Sequence, residues 1–313
     1  MEKSSAMKNV KTLLILSLLA INGLFAQTQF EQDAYFSNLN SFNSFANIDL
    51  FLYSLFLLSI GSFVSAVIFR TSSNLQNNTK ELNILYPRSF CPKCNHQIKI
   101  LYLLPLVGFF LQWGKCKICK NKISFFYPIT EISFLLIGLL LAFVYGFGIF
   151  SFFLLLLFSV FYVLFFLDLK YYYLPFSINI FLIPCGLVGN TFFNIFVADN
   201  SLIFNLSPLQ FSLYGLLAGY ISLWSVNFIF RLISKKDGIG GGDFILFGGI
   251  GSLLGPFSLG LILFMASFFG CLMFLIYRKK HKEQIPLGSC LILGSICYFL
   301  IKNFELLDGF LVI

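Results

Sequence analysis

Blocks of apolar residues long enough to cross a bilayer alternate along the chain with short polar breaks. A crossing helix needs about 20 residues to span roughly 30 Å of hydrocarbon. Blocks of this kind occupy 49–69, 125–147, 149–167, 174–197, 210–233, 257–277 and 286–303. An eighth, 244–255, is short and glycine-rich, but the charges require it. Lys235 and Lys236 precede it, and Arg278, Lys279, Lys280 and Lys282 follow the next block. An even number of crossings puts both basic clusters on the cytoplasmic side, as the positive-inside rule demands. The one long hydrophilic stretch is 70–124, with nine basic residues and a single acid, Glu81. Its apolar segment 101–113 is too short to cross, and reads as the core or the membrane-facing side of a small loop domain.

The N-terminal residues add a further element. Residues 1–26 carry Lys3, Lys8 and Lys11 ahead of an apolar core, which is the pattern of a signal peptide or of an extra N-terminal helix. Residues 27–48, without Lys or Arg, then form an extracytoplasmic linker. The remaining organisation is a first span over 49–69, a cytoplasmic zinc-knuckle domain over 70–124, a membrane peptidase domain over 125–303 and a C-terminal tail over 304–313.

Composition agrees with the pattern. The chain is 58% hydrophobic, 11% charged and holds 43 Phe, more apolar surface than a soluble domain of 313 residues can hide. The net charge of +8 does not point to nucleic acid, because the basic residues are sorted to one side of the membrane, Lys302 being the exception.

Against this apolar background two acids stand out. Asp168 closes the third span in Phe166-Leu167-Asp168-Leu169, and Asp243 opens the sixth after Gly240-Gly241-Gly242. Both fall on the cytoplasmic side, so two helices of a bundle can bring them together. Two carboxylates that share a proton are the minimum equipment of an aspartic protease, one serving as base and one as acid. The glycines permit positive φ and leave room for an extended substrate backbone. Taken singly, Asp168 is explained as helix-end solvation at the interface and Asp243 as an N-terminal helix acid favoured by the dipole. Asp237, in the basic loop, reads as solvated.

Cys91-Pro92-Lys93-Cys94 and Cys116-Lys117-Ile118-Cys119 place two thiols on each of two tight turns, which completes a four-cysteine Zn²⁺ site. A reducing cytoplasm disfavours the disulfide alternative. A closed site of this kind is structural, with no open coordination position. His96 is either a competing ligand or an exposed loop residue, and His281 an interfacial charge. Cys185, Cys271, Cys290 and Cys297, in apolar spans, read as packing residues. Glu131 lies inside the second span and at that depth needs a partner. It either bonds a neighbouring helix or binds a basic or amino-terminal substrate group. The expected fold class is an all-α polytopic membrane protein of about eight transmembrane helices with a small cytoplasmic four-cysteine zinc-binding loop domain.

In this order the motifs resemble the type 4 prepilin peptidases, the bifunctional leader peptidase/N-methyltransferase family of GxGD aspartic proteases. The resemblance runs from about Gly61 to Gly294. It rests on Gly61-Ser62-Phe63, Arg88-Ser89 before the first CxxC, the second CxxC, Tyr127-Pro128 with Glu131, Asp168 with Leu174-Pro175, the Gly240-Gly241-Gly242-Asp243 run, and Ile285-Pro286-Leu287-Gly288. It implies cleavage of type IV prepilin or pseudopilin leaders after a glycine at the cytoplasmic face of a bacterial inner membrane. Methylation of the new amino terminus with S-adenosylmethionine would follow. Asp168 and Asp243 then match the catalytic aspartates. The implied partners are prepilins and the lipid bilayer, with no nucleic acid.

The chain departs from the family pattern in having Ser65 where Asn is frequent, Leu287 and Ser289 in an IPFGP-like element, and an apolar stretch before Pro105. The last change bears on the transferase half. The rival readings are another GxGD intramembrane protease without methyltransferase activity and a non-enzymatic zinc-containing membrane scaffold with structural aspartates. Presenilin-like proteases pair the glycine motif with Tyr-Asp, whereas this chain has Leu167-Asp168.

Overall fold

A computed structural model describes residues 47–77, 86–193, 206–278 and 285–303. The signal or anchor over 1–26, nearly all of the 27–48 linker, the tail over 304–313, Glu81 and His281 lie outside the described residues. In chain order the helices are α1 (Asn47–Asn77), α2 (Val107–Leu111), α3 (Phe126–Tyr145), α4 (Ile149–Tyr171), α5 (Phe176–Ile180), α6 (Leu182–Phe193), α7 (Pro208–Ser234), α8 (Gly241–Leu254), α9 (Leu259–Arg278) and α10 (Leu287–Asn303). A short 3₁₀ turn, Ile100–Leu103, precedes α2. No strand forms among the described residues, where β pairing is limited to two isolated bridges.

The protein is a multi-pass membrane protein. Five helical segments are long and apolar enough to cross a bilayer: Ile48–Gln76, Phe126–Tyr145, Ile149–Tyr171, Phe176–Phe193 and Pro208–Ser234. The segments α8, α9 and α10 are shorter apolar helices. Local chemistry explains the departures from a plain run of spans. The fourth crossing breaks at Phe181 into α5 and α6, because Pro184 has no N–H to donate to the carbonyl of Ile180. The first does not stop at Arg70: at 31 residues α1 is about 46 Å long, more than the bilayer needs, so its last turns project beyond the membrane. The start of α7 is set by a capping box, in which Ser207 Oγ accepts from the Gln210 N–H and the Gln210 side chain accepts from the Ser207 N–H, with Pro208 following.

Two apolar clusters hold the helices together. One joins Leu57 and Val64 of α1 and Phe134 of α3 to Leu155, Val163 and Leu167 of α4. The other joins Val160 and Leu164 of α4 to Leu182, Phe211, Phe247, Ile250 and Leu291. Helix α4 belongs to both, so the helix that ends in Asp168 is clamped between the two halves. Helix α8 is buried on all sides and lies against α7 so closely that a Cβ on Gly215 would sit 1.9 Å from the Gly251 carbonyl oxygen, and one on Gly251 2.1 Å from that of Gly215. The glycines that make α8 look weak as a span are what let it enter the centre of the bundle.

A buried polar node fixes the opposite end of α8. Asn190 Nδ2 donates to Ser212 Oγ at 2.8 Å and to the carbonyls of Ser252 and Leu253, each at 3.0 Å, tying α6, α7 and α8 together. Asn190→Leu is expected to destabilise the bundle by about 1–3 kcal/mol, because acceptors are left buried without a donor. Thermal unfolding in detergent, read as a lower Tm, checks this.

Candidate active site and metal centre

Asp168 lies in the last turn of α4, buried, with its Oδ2 accepting from the Ser289 N–H at 2.5 Å and from Ser289 Oγ at 2.8 Å. Both donors come from the first turn of α10, where the N–H groups of a helix have no partner within it. Ser289 Oγ also lies 3.2 Å from the Phe165 carbonyl, which locks its rotamer onto α4. Gly288 leaves space for the carboxyl group, since a Cβ there would sit 3.1 Å from Asp168 Cγ.

Asp243 occupies the first turn of α8, its N–H donating to the Gly240 carbonyl at 3.0 Å. Its Oδ1 is buried with no protein hydrogen-bond partner. The two carboxyl groups are within electrostatic reach of one another, and Cys290 feels both. Leu174, on the chain leaving α4, separates their supports: a Cβ on Gly242 would sit 3.0 Å from Leu174 Cβ, and one on Gly288 3.0 Å from Leu174 Cδ1. The expectation that the glycine run uses positive φ does not hold, because Gly240 is extended (φ −69°) and Gly241 and Gly242 are helical. The run works by leaving space instead, with Gly241 open on its Cβ side.

The four CxxC cysteines converge. Their sulfurs lie within 4.8 Å of one another, with Cys91–Cys119 at 3.8 Å and Cys94–Cys116 at 4.0 Å. Tetrahedral Zn–S bonds of about 2.3 Å place sulfurs about 3.8 Å apart, so the donor set can hold a metal ion of that kind. Each turn is built alike. The Cys91 N–H bonds the His96 carbonyl and the Cys116 N–H the Asn121 carbonyl, while Asn95 and Lys120 take positive φ to close the hairpins. The two knuckles thus repeat one local structure. The Cys116 thiol is brought down to about 7 by the Cys119 and Ile118 N–H groups, which readies it as a thiolate ligand.

Residues 55–145 match the model of the bacterial peptidase A24 N-terminal domain, and residues 155–275 that of the type IV leader peptidase family. A prepilin leader peptidase/N-methyltransferase of Aeromonas salmonicida is 31% identical over 266 residues, covering 78% of this chain and 88% of that protein. The chain belongs to the type IV leader peptidase family. The Legionella pneumophila protein of the same name is 31% identical over 273 residues, covering 80% of this chain and 91% of its own. That of Neisseria gonorrhoeae is 29% identical over 259 residues, covering 77% and 87%. No solved structure gives a significant match.

Within this family member, Glu131 is not left as a free acid. Its Oε2 accepts from the Leu106 N–H of the loop domain at 2.7 Å, and its Cα lies 2.8 Å from where a Cβ on Gly61 of α1 would be. It therefore ties α3 to the loop, while a side-chain hydrogen bond with Ser62 of α1 meets the neighbouring-helix alternative.

Two further supports come only from the structure. Asn179 of α5 donates to the Gly242 carbonyl at 2.6 Å. Asn227 of α7 accepts from the Gly238 and Ile239 N–H groups at 2.9 and 3.0 Å. Asp237, mostly exposed, makes a loose ion pair with Arg231 at 3.7 Å. The clearest case is Ser289, which in the sequence stands only as a departure from Pro. A proline has neither donor that Ser289 gives Asp168. Ser289→Ala is expected to lower kcat for peptide cleavage about tenfold with the fold intact, since one hydrogen bond to a charged group, about 1.5 kcal/mol, is lost. Steady-state kinetics on a prepilin substrate measures this.

Proposed function

We propose that this chain is a membrane aspartic endopeptidase that removes the leader from type IV prepilins or pseudopilins, with Asp168 and Asp243 as the catalytic pair. The observation that carries the reading is the asymmetry of that pair: the two carboxyl groups are within electrostatic reach of one another, Asp168 held by two donors of α10 and Asp243 with a buried, unpartnered Oδ1. Asp168, the carboxylate supplied with hydrogen bonds, takes a proton from water as its oxygen attacks the scissile carbonyl. Asp243, carrying the shared proton, polarises the carbonyl oxygen and protonates it as the tetrahedral diol forms. Collapse of the diol breaks the C–N bond, the proton held on Asp168 passes to the departing amine, and Asp243 recovers its own. Gly240, Gly241 and Gly242 leave the space in which an extended substrate strand lies beside Asp243, and Glu131 supports the site by anchoring the loop domain.

The reading extends to a bacterial inner membrane with the pair facing the cytoplasm, where the basic loops lie. It also extends to Zn²⁺ in the site of Cys91, Cys94, Cys116 and Cys119, closing the loop domain. Lys93, Lys117 and Lys120 beside the knuckles offset the surplus thiolate charge. Methylation of the new amino terminus, with S-adenosylmethionine as donor, rests on the names of the relatives. Among the described residues there is no strand and hence no βαβ unit.

The test is direct. Purified full-length protein in detergent is incubated with a type IV prepilin, and the product N-terminus is read by mass spectrometry. A shortened product is expected, heavier by one methyl group when S-adenosylmethionine is added. An unprocessed prepilin across several type IV substrates would overturn the peptidase reading in favour of the scaffold.

A further inference from the structure

The loop domain turns an apolar face outward. Ile100, Leu101, Leu104, Phe110, Trp113 and Phe125 are all exposed, Trp113 at 87%, Phe125 at 71% and Phe110 at 68%. A water-facing domain seldom leaves so many large apolar side chains bare. Around it stand Lys99, Lys115, Lys117, Lys120 and Lys122, all exposed, and the sequence contains no acid between 82 and 130.

The depth of this face is set by contacts that do not involve it. Helix α3 has 20 residues, a length of about 30 Å, so it has no surplus and its first turn lies at the membrane boundary. Glu131 is five residues beyond the helix start, about 7.5 Å further in. Its carboxylate holds the Leu106 N–H at 2.7 Å, which puts the turn between the 3₁₀ segment and α2 at that same level. Leu106 adopts φ +58°, the left-handed region, at this turn. Gly108 lets the two halves of the turn close up, since a Cβ there would sit 2.1 Å from the Tyr102 carbonyl oxygen. Phe125, at the other end of the face, directly precedes α3.

We infer that the segment Ile100–Trp113, with Phe125, is a re-entrant interfacial anchor that inserts its apolar face into the adjacent leaflet, while the surrounding lysines bind anionic headgroups. Apolar side chains at acyl depth flanked by basic residues at headgroup depth form the surface that an anionic bilayer interface fits. A dissolved protein partner does not suit a face held below the membrane boundary by the Glu131–Leu106 bond. The anchor fixes the height of the metal knuckles over the membrane, and it does not depend on the peptidase reading.

Trp113 is a built-in probe, because Trp224 is the chain's other tryptophan. The full-length Trp224→Phe variant is placed in nanodiscs of phosphatidylcholine and phosphatidylglycerol whose acyl chains are brominated at the shallow 6,7 positions. Trp113 emission is expected to fall at least twofold on bromination and to resist iodide. Iodide quenching with no effect of bromination would overturn the insertion, as would protection from both, which would report a protein covering. The reciprocal Trp113→Phe variant leaves Trp224 on the membrane helix α7, and its quenching by brominated lipid verifies that the reconstituted chain is inserted. Replacing Lys99, Lys115, Lys117, Lys120 and Lys122 by Gln is expected to abolish any dependence of Trp113 quenching on phosphatidylglycerol content. Wild-type quenching that is indifferent to phosphatidylglycerol would refute the headgroup contact.

Discussion

Asp168→Asn is expected to reduce prepilin cleavage by roughly 10³-fold or more, and Asp243→Asn to do the same, with the double variant little worse than either. The amide keeps the size of the side chain and can still accept from Ser289, so the loss reports proton chemistry rather than packing. At Asp168 it removes the carboxylate to which the proposed mechanism assigns the proton taken from water. At Asp243 it removes the proton that the carbonyl oxygen needs. Non-additivity is the sharper signature, because two groups that share one proton fail together when either is lost. Co-expression of each variant with a type IV prepilin, read at the pilin N-terminus by mass spectrometry, measures the effect. Processing at the wild-type level by Asp168→Asn would leave the scaffold reading standing. Asp168 is buried and Asp243 has a buried Oδ1, so thermal unfolding alongside separates loss of chemistry from loss of fold.

The second large effect belongs to the metal centre. Purified protein is expected to carry about one equivalent of zinc, and Cys91→Ser with Cys94→Ser to carry none. Metal binding to a four-thiolate site supplies on the order of 10 kcal/mol to the small domain it closes. Besides its short turns and the two hairpins, the loop is tied to the helices by the Glu131–Leu106 bond, the Arg70 guanidinium on the Pro87 carbonyl at 2.6 Å and the Phe69–Phe90 ring contact. Loss of the metal therefore opens residues 86–125 to protease while the helical bundle survives. Elemental analysis and limited proteolysis check the two halves. Retention of a full equivalent of zinc in the double variant would remove these cysteines as the ligand set.

The sequence by itself determined the class of the protein, a helical membrane chain with a four-cysteine loop, and the apolar blocks that become its helices. Hydrophobic length and charge asymmetry are properties of the chain that the bilayer reads directly. It also singled out Asp168, Asp243 and the four cysteines, because charge in an apolar span and paired CxxC turns are rare enough to be seen without coordinates. What Glu131, Ser289, Asn179 and Asn227 bond to was decided only by the tertiary structure. Each acts on a backbone group or carboxylate distant in sequence, Ser289 on Asp168 across 121 positions and Asn179 on Gly242 across 63. Hydrophobic periodicity does not encode such pairings, since a lone Asn or Ser in a span reads the same whatever it faces. The short glycine-rich block was legible as a span only through charge. The structure supplies the reason: Gly215 and Gly251 let α8 lie backbone to backbone against α7, where any larger side chain would hold Asp243 away from Asp168.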